Sequence, residues 1–367
     1  MRRLPFLAPV AAGLLVATVS CSDSPSPTAP DGPSLAQNAL RRGPTLTPQS
    51  SGTVQRLMAV SPVNQRVVWA SGAGGTFTVT TDGGETWQSG VVPGAEALQF
   101  RDVEGVSARE AYLLSIGAGS DSRIYHTTDG GATWTLQFQA TNPAAFYDCF
   151  AFWTPNRGLV MGDAVDGRLP VLRTTDGGET WEDVGADLPA AQAGEAAFAS
   201  SGTCVTVQGG KRAWIITGGA AESRVIATTD GGDTWTSYST PIVQGTPASG
   251  GFSIDFRTPH NGIVAGGDLE RADQILDNVA RTSDGGQTWE LATSTPFPGA
   301  VYGLSYVNRA GLEGVVATGP AGAAWSPDEG DTWNLLPGVT NYWAVAFANH
   351  NSGWLVGTEG RILKITF

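Results

Sequence analysis

The sequence predicts an all-β fold, a single seven-bladed β-propeller, on three observations. One eight-residue element, Thr-Thr-Asp-Gly-Gly-Glu-Thr-Trp at 174–181, recurs six times with small changes, its aspartate falling at Asp82, Asp129, Asp176, Asp230, Asp284 and Asp328, in steps of 47, 47, 54, 54 and 44 residues. Such a period marks an array of four-stranded units, each unable to bury its own apolar face alone. The composition, with 49 Gly and 22 Pro, suits short strands and many turns. Between the turns, apolar segments of strand length replace the longer periodic stretches that helices need.

Within the element each residue type has a task. The aspartate carboxylate accepts hydrogen bonds from backbone N–H groups two or more residues on, and the glycine pair adopts the positive φ of a tight turn. The threonine returns the chain to a strand, and the tryptophan offers a large apolar surface to a neighbouring blade. Trp87, Trp134, Trp181, Trp235, Trp289 and Trp333 are half of the twelve tryptophans, all at one repeat position. Repetition of that kind builds scaffold, whereas a site needs unlike residues to converge.

From the start of the chain, residues 1–20 read as a signal peptide: Arg2 and Arg3 precede an apolar run from Leu4 to Val19 that is too short to span a bilayer. Cys21 follows directly, an arrangement that resembles a bacterial lipobox with Thr18 where leucine is usual. The resemblance implies lipidation at Cys21 and a place in the periplasm, outer membrane or cell surface. Ordinary cleaved secretion is the alternative. Residues 21–43, rich in Ser, Pro and Asp, cannot bury enough surface to offset their ordering entropy and are expected to form a disordered tether. Residues 44–367 remain for the propeller, enough for seven blades of about 45 residues each.

Each blade reads as three apolar strands and a fourth that carries the tryptophan. In the third these are 147–153, 158–162, 170–174 and 181–184. Aligned on their turns, the innermost strands place Ala59, Gly105, Ala151, Thr206, Asp255, Ser305 and Ala346 at one position. Beside them stand the mostly larger Val60, Val106, Phe152, Val207, Phe256, Tyr306 and Phe347. That alternation fits blades packed large face to small face around a narrow axis. The seventh blade has strands 343–348, 353–357 and 361–367 and no turn element of its own, so its outer strand is expected from 44–51, sealing the ring.

The S/T-x-D-G-G-x-T-W element resembles the Asp-box, or BNR repeat, of sialidases, sortilin-type receptors and the photosystem II assembly and stability factor family. Bacterial relatives of the last family are the most similar. They share segments like Phe-Tyr-Asp-Cys-Phe-Ala-Phe-Trp at 146–153 and Gly-Glu-Ala-Ala-Phe at 194–198, over about residues 50–367. The resemblance implies a seven-bladed propeller that assists assembly of a membrane or envelope complex without catalysis. In that family binding is attributed to an arginine-rich patch. The rim expected here is mostly acidic and aromatic, which points to a different ligand.

Cys149 and Cys204 fall at equivalent positions on adjacent inner strands, and an exported protein meets an oxidising compartment. A disulfide and two buried thiols both remain open. The loops entering each inner strand, and those joining second to third strands, share one rim. Its binding candidates are Arg56, Arg101, Asp102, Tyr147, Asp148, Asp163, Arg168, Glu195, Asp268, Arg271, Tyr302, Tyr342 and Trp343. Aromatic faces stack and charges orient, which suits a protein segment or another envelope component, or a carbohydrate.

The net charge of −13 becomes −15 once Arg2 and Arg3 leave with the signal, which argues against nucleic acid and for basic or neutral partners. Membrane contact is expected through the lipid anchor only, and the chain is expected to be monomeric. His126, His260 and His350 are scattered without ligand spacing, so no metal is expected. Gly72 to Gly75 do not open a helix, so no dinucleotide or other cofactor is expected either. The reading is a non-catalytic protein-binding or assembly scaffold. The alternative is a glycoside hydrolase of sialidase type, using carboxylates such as Asp148 and Asp163, or Arg56, Arg101 and Arg168 with Tyr302.

Overall fold

The computed structural model describes residues 42–307 and 313–367. The expected signal peptide 1–20, the lipidation site Cys21 and the tether up to residue 41 lie outside the described residues.

Seven four-stranded antiparallel sheets follow one another as blades. Their innermost strands are, in chain order, Leu57–Pro62, Gln99–Gly105, Tyr147–Thr154, Val205–Gln208, Ser249–Phe256, Gly303–Tyr306 and Tyr342–Asn349. The outer strand of blade 7 is Thr45–Ser50, paired with Arg361–Thr366 from Thr45↔Thr366 to Ser50↔Arg361. Gln49 sits at this seam: its Oε1 accepts from Trp354 Nε1 of blade 7 and Trp87 Nε1 of blade 1, both at 3.2 Å, and its Nε2 donates to Gly83 O.

All six turn elements fold alike. In the third, Thr174 Oγ1 donates to Asp176 Oδ1 and accepts the N–H of Gly178, while Asp176 accepts both the N–H and the hydroxyl of Thr180. The same bonds recur around Asp82, Asp129, Asp230, Asp284 and Asp328. Both turn positions have positive φ, for example 76° and 82° at Gly177 and Gly178; in the sixth element Glu329 takes the first of them at 53°.

The repeat tryptophans lie where blades meet: Trp87 bonds to Gln49 of blade 7, and Trp333 Nε1 donates to Thr293 O of blade 5. Trp134 meets Trp69 and Phe77 of blade 1, but Trp181 and Trp289 stand edge-on to Phe152 and Phe256 of their own blades. Further links come from aromatic residues on the second strands. Trp69 Nε1 donates to Ser107 O, Tyr112 OH to Gly177 O, and Trp214 Nε1 to Gly285 O, each in the following blade. These rings are almost wholly buried, so an unmade bond would leave a desolvated donor.

The inner strands carry a feature that a period-two count cannot see. In blades 1, 2, 3, 5 and 7 the register slips by one residue at Met58, Arg101, Asp148, Phe252 and Trp343. Each is a β-bulge, which inserts an extra residue and re-aims its side chain. The opposite strand makes room by glycine: a Cβ on Gly162 would lie 2.2 Å from Phe146 O. The bulges correct the alignment of the first two blades. The residues facing the axis at one level are Ser61, Glu104, Ala151, Thr206, Asp255, Ser305 and Ala346, lining an axial cavity of ≈ 340 Å³, so Ser61 and Glu104 replace Ala59 and Gly105.

Candidate functional site

The loops entering the inner strands and those joining second to third strands open on one face, and a pocket of ≈ 320 Å³ lies at its centre. Its wall is an aromatic series contributed by successive blades. Phe198 stacks on Phe252 with centroids 4.0 Å apart and planes at 2°; Phe252 stacks on Tyr302 at 6.0 Å; Tyr302 meets Trp343 edge-on at 5.0 Å. Two guanidinium groups complete the circuit over the Trp343 ring, Arg56 at 4.8 Å and Arg101 at 5.5 Å, which is cation–π geometry.

Arg101 owes its place to the bulge. Its Nη1 donates to Ala199 O at 2.9 Å and its Nη2 to Gln99 Oε1 at 3.1 Å, while its Nε is buried without a partner. Burial, with repulsion from Arg56, lowers the Arg101 pKa from the usual arginine value. Among the described residues no carboxylate lies within ion-pair distance of Arg56 or Arg101. Burial also raises the Tyr302 hydroxyl, against the pull of the two arginines, so the phenol stays protonated.

The acidic part of the pocket is a pair. Asp148 is 1 % exposed, and burial followed by the charge of Asp163 holds its carboxyl well above the usual range. Asp163 is pushed by burial to about 6, and its Oδ1 accepts the N–H of Ala197 at 3.1 Å. The two acids lie close enough for each to influence the other's carboxyl, and Asp148 Oδ2 is buried without a hydrogen-bond partner among the described residues. Both carboxyls are raised, so the pair carries less negative charge than two free carboxylates would beside the two arginines.

Six of the thirteen binding candidates thus converge: Arg56, Arg101, Asp148, Asp163, Tyr302 and Trp343. The others are elsewhere. Asp102 faces the axis, where its carboxylate accepts the N–H groups of Val103 and Phe150 and ties blade 2 to blade 3. Asp255 does the same between blades 5 and 6 through Phe256 and Tyr306. Tyr147 is buried edge-on to Phe138, and Tyr342 is buried in the core of blade 7. Glu195 is buried in an ion pair with Arg224 at 2.6 Å and also accepts from Thr217. Arg168 pairs with Asp183, and Asp268 with Arg271.

A buried carboxylate must be matched by donors: Asp102 and Glu195 find theirs on other segments, at Phe150 N–H and Arg224, out of view of a count along one strand, and Asp268 within its own loop, at Glu270 N–H and Arg271 Nε. The expectation of a mostly acidic rim is corrected by the same fact, because three of its acids serve as structural acceptors. The sequence reading missed Phe198, Phe252 as an aromatic partner, and Leu269, which is 43 % exposed at the pocket rim.

Cys149 and Cys204 form a disulfide, with Cα atoms 5.9 Å apart. Among the described residues no group of three or more His, Cys, Asp or Glu side chains gathers as a metal site.

No protein-family model matches the chain, and no curated protein matches it. Solved structures do. YCF48 bound to a D1 peptide is similar with a TM-score of 0.62 and 16% identity, over 88% of this chain and 95% of that one. YCF48 from Cyanidioschyzon merolae gives 0.60 and 17%, over 88% and 98%. An ancestral GH74 enzyme gives 0.51 and 14%, over 82% of this chain and 36% of that one. At such identities the likeness is one of fold: this chain is a β-propeller similar in architecture to YCF48 and to GH74 enzymes.

Proposed function

We propose that the chain binds a segment of another protein at this mouth and carries out no chemistry there. The observation that carries the reading is the convergence of unlike residues from seven blades around one small pocket: an aromatic wall, two arginines with no carboxylate at ion-pair distance among the described residues, and a buried pair of acids. A segment with carboxylates beside apolar side chains matches it, since the local charge is positive although the chain as a whole is at −13. The YCF48 structure that holds a D1 peptide lends support by fold. Residues 1–20 and Cys21 support export and lipid anchoring, with which the Cys149–Cys204 bond is compatible.

The glycosidase reading draws on the GH74 likeness and on Asp148 with Asp163. Paired glycosidase carboxylates stand about 5 Å apart or more, leaving room for a sugar or a water. Asp148 is 1 % exposed, so that room is lacking at its carboxyl. The test is an immobilised library of 15-residue peptides of graded charge. Wild type is expected to retain acidic, apolar-rich peptides, and Trp343→Ala to weaken them on the order of thirtyfold, the effect of losing an interface anchor. Equal retention by Trp343→Ala, or turnover of glucan or sialyl substrates abolished by Asp148→Asn, overturns the proposal.

A further inference from the structure

The inner strand of blade 4 is four residues long, Val205–Gln208, where its neighbours Tyr147–Thr154 and Ser249–Phe256 have eight. The residues that would have extended it, 198–203, leave the sheet and cross the axis. On one side Ala199 O accepts from Arg101 Nη1 of blade 2. On the other, the hydroxyls of Ser200 and Ser201 donate to Tyr302 O, at 2.9 and 2.6 Å, just ahead of blade 6. Gly202 turns with φ 74° so close beneath Asp102 that a Cβ would lie 2.3 Å from its Oδ1.

This strap separates two spaces. Phe198, Ala199 and Ser200 line the mouth pocket; Ser201, Gly202 and Thr203 line the axial cavity. The next residue, Cys204, is bonded to Cys149, which follows Asp148 of the acid pair, and both cysteines are fully buried. One covalent bond therefore pins the end of the strap against the wall that carries the pocket's acids. The remaining anchors are the stack of Phe198 on Phe252, the bonds of Thr203 to Ile254 N and Ser253 Oγ, and the hydrogen bonds bordering the two cavities, where water competes for the same groups.

We propose that formation of the Cys149–Cys204 bond locks residues 198–203 across the axis, and that without it the strap lifts, the two cavities join and the aromatic wall loses Phe198. In the locking step two thiols pass two electrons and two protons to a disulfide-bearing oxidant, which leaves as a dithiol. The mouth is then completed only in an oxidising compartment. Because the bond is buried, a soluble dithiol can attack it only when the strap opens, so a locked strap is also slow to unlock. The consequence for binding rests on the mouth being the recognition site; the state of the strap does not.

The test is hydrogen–deuterium exchange in full-length oxidised wild type, in Cys149→Ala/Cys204→Ala and in Arg101→Gln. In the double cysteine variant, amides of 198–204 are expected to exchange on the order of a hundredfold faster, the scale of a lost cross-link, while strands such as Arg157–Gly162 and Arg212–Ile216 keep their protection. In Arg101→Gln, with the disulfide intact, strap exchange stays within about threefold of wild type, since one hydrogen bond is lost.

A strap equally protected without the cysteines overturns the proposal. So does a strap that exchanges freely in Arg101→Gln, and this second arm decides even if the cysteine variant fails to fold. Binding of an acidic 15-residue peptide is measured beside exchange. A freed strap with no peptide binding in any form refutes the binding-site reading and leaves the lock standing.

Discussion

Replacing Gln49 by alanine tests how the ring is held shut. The change removes one acceptor shared by Trp354 Nε1 and Trp87 Nε1 and one donor to Gly83 O, all at 3.2 Å. Trp354 is fully buried and Trp87 is 9 % exposed, so two indole N–H groups lose their partner where water enters poorly. A buried donor left unsatisfied costs about 1–3 kcal/mol. Some water follows into the vacated space, which sets the expectation at about 2–4 kcal/mol for the two. With an unfolding entropy of ~0.7 kcal/mol/K for a propeller of this length, the midpoint falls by about 3–6 °C.

Scanning calorimetry at one scan rate reads this. Gln49→Glu is the control: it keeps an acceptor for both indoles, and Lys364 Nζ, which donates to Gly83 O at 3.0 Å, is near enough to offset its charge. Its loss is expected to be less than half that of alanine. An alanine variant within 1 °C of wild type, on an effect expected to be about 3 °C or more, or a glutamate variant worse than alanine, refutes the role given to this seam.

Glu195→Ala strands Arg224, whose side chain is 10 % exposed, and is expected to destabilise by about 3–5 kcal/mol in denaturant titration. Glu195→Met with Arg224→Met recovers most of that. Acid–base behaviour has two opposing limbs. Asp163, pushed to about 6, and Asp148, held well above the usual carboxylate range, give the folded chain stability that is present below about 4 and lost as pH rises through about 6.

Asp129 and Asp230, held at about 2 chiefly by the hydroxyls of Thr133 and Thr234, contribute stability above the ordinary carboxylate pKa and lose it as pH falls toward 2. Stability measured against pH is thus expected to peak near 4 and to fall between about 4 and 6, and Asp148→Asn/Asp163→Asn to flatten that upper limb only. Gly202→Ala places a Cβ against Asp102 at a positive φ and is expected to weaken peptide retention at the mouth while leaving strand protection in hydrogen exchange unchanged.

The turns were legible in the sequence because everything that makes them lies within eight residues: Thr174, Asp176, the glycines and Thr180 satisfy one another locally. The blade count followed from their period. The mouth was only partly legible. Tyr302 and Trp343 stood at strand entries and reach the pocket, but Asp102 and Arg101 exchanged roles because a bulge shifts which of two neighbours faces inward. The fate of Glu195 depended on Arg224, 29 residues away, a pairing that becomes visible only when separate segments are brought together, whereas Asp268 pairs with Arg271 within one loop. The strap was invisible for a related reason: its contacts span 98 to 102 residues, and its own sequence, Phe-Ala-Ser-Ser-Gly-Thr, carries no pattern that distinguishes a crossing segment from a loop.

The binding mouth is tested most directly by hydroxyl-radical footprinting of the wild-type protein with and without a saturating acidic, apolar-rich peptide. The account predicts that oxidation of Tyr302 and Trp343 falls several-fold in the complex while Trp333, at the turn on the opposite face, oxidises as before. Tyr302 and Trp343 oxidised at the same rate with the peptide bound, or protection confined to Trp333 and the other turn residues, contradicts it.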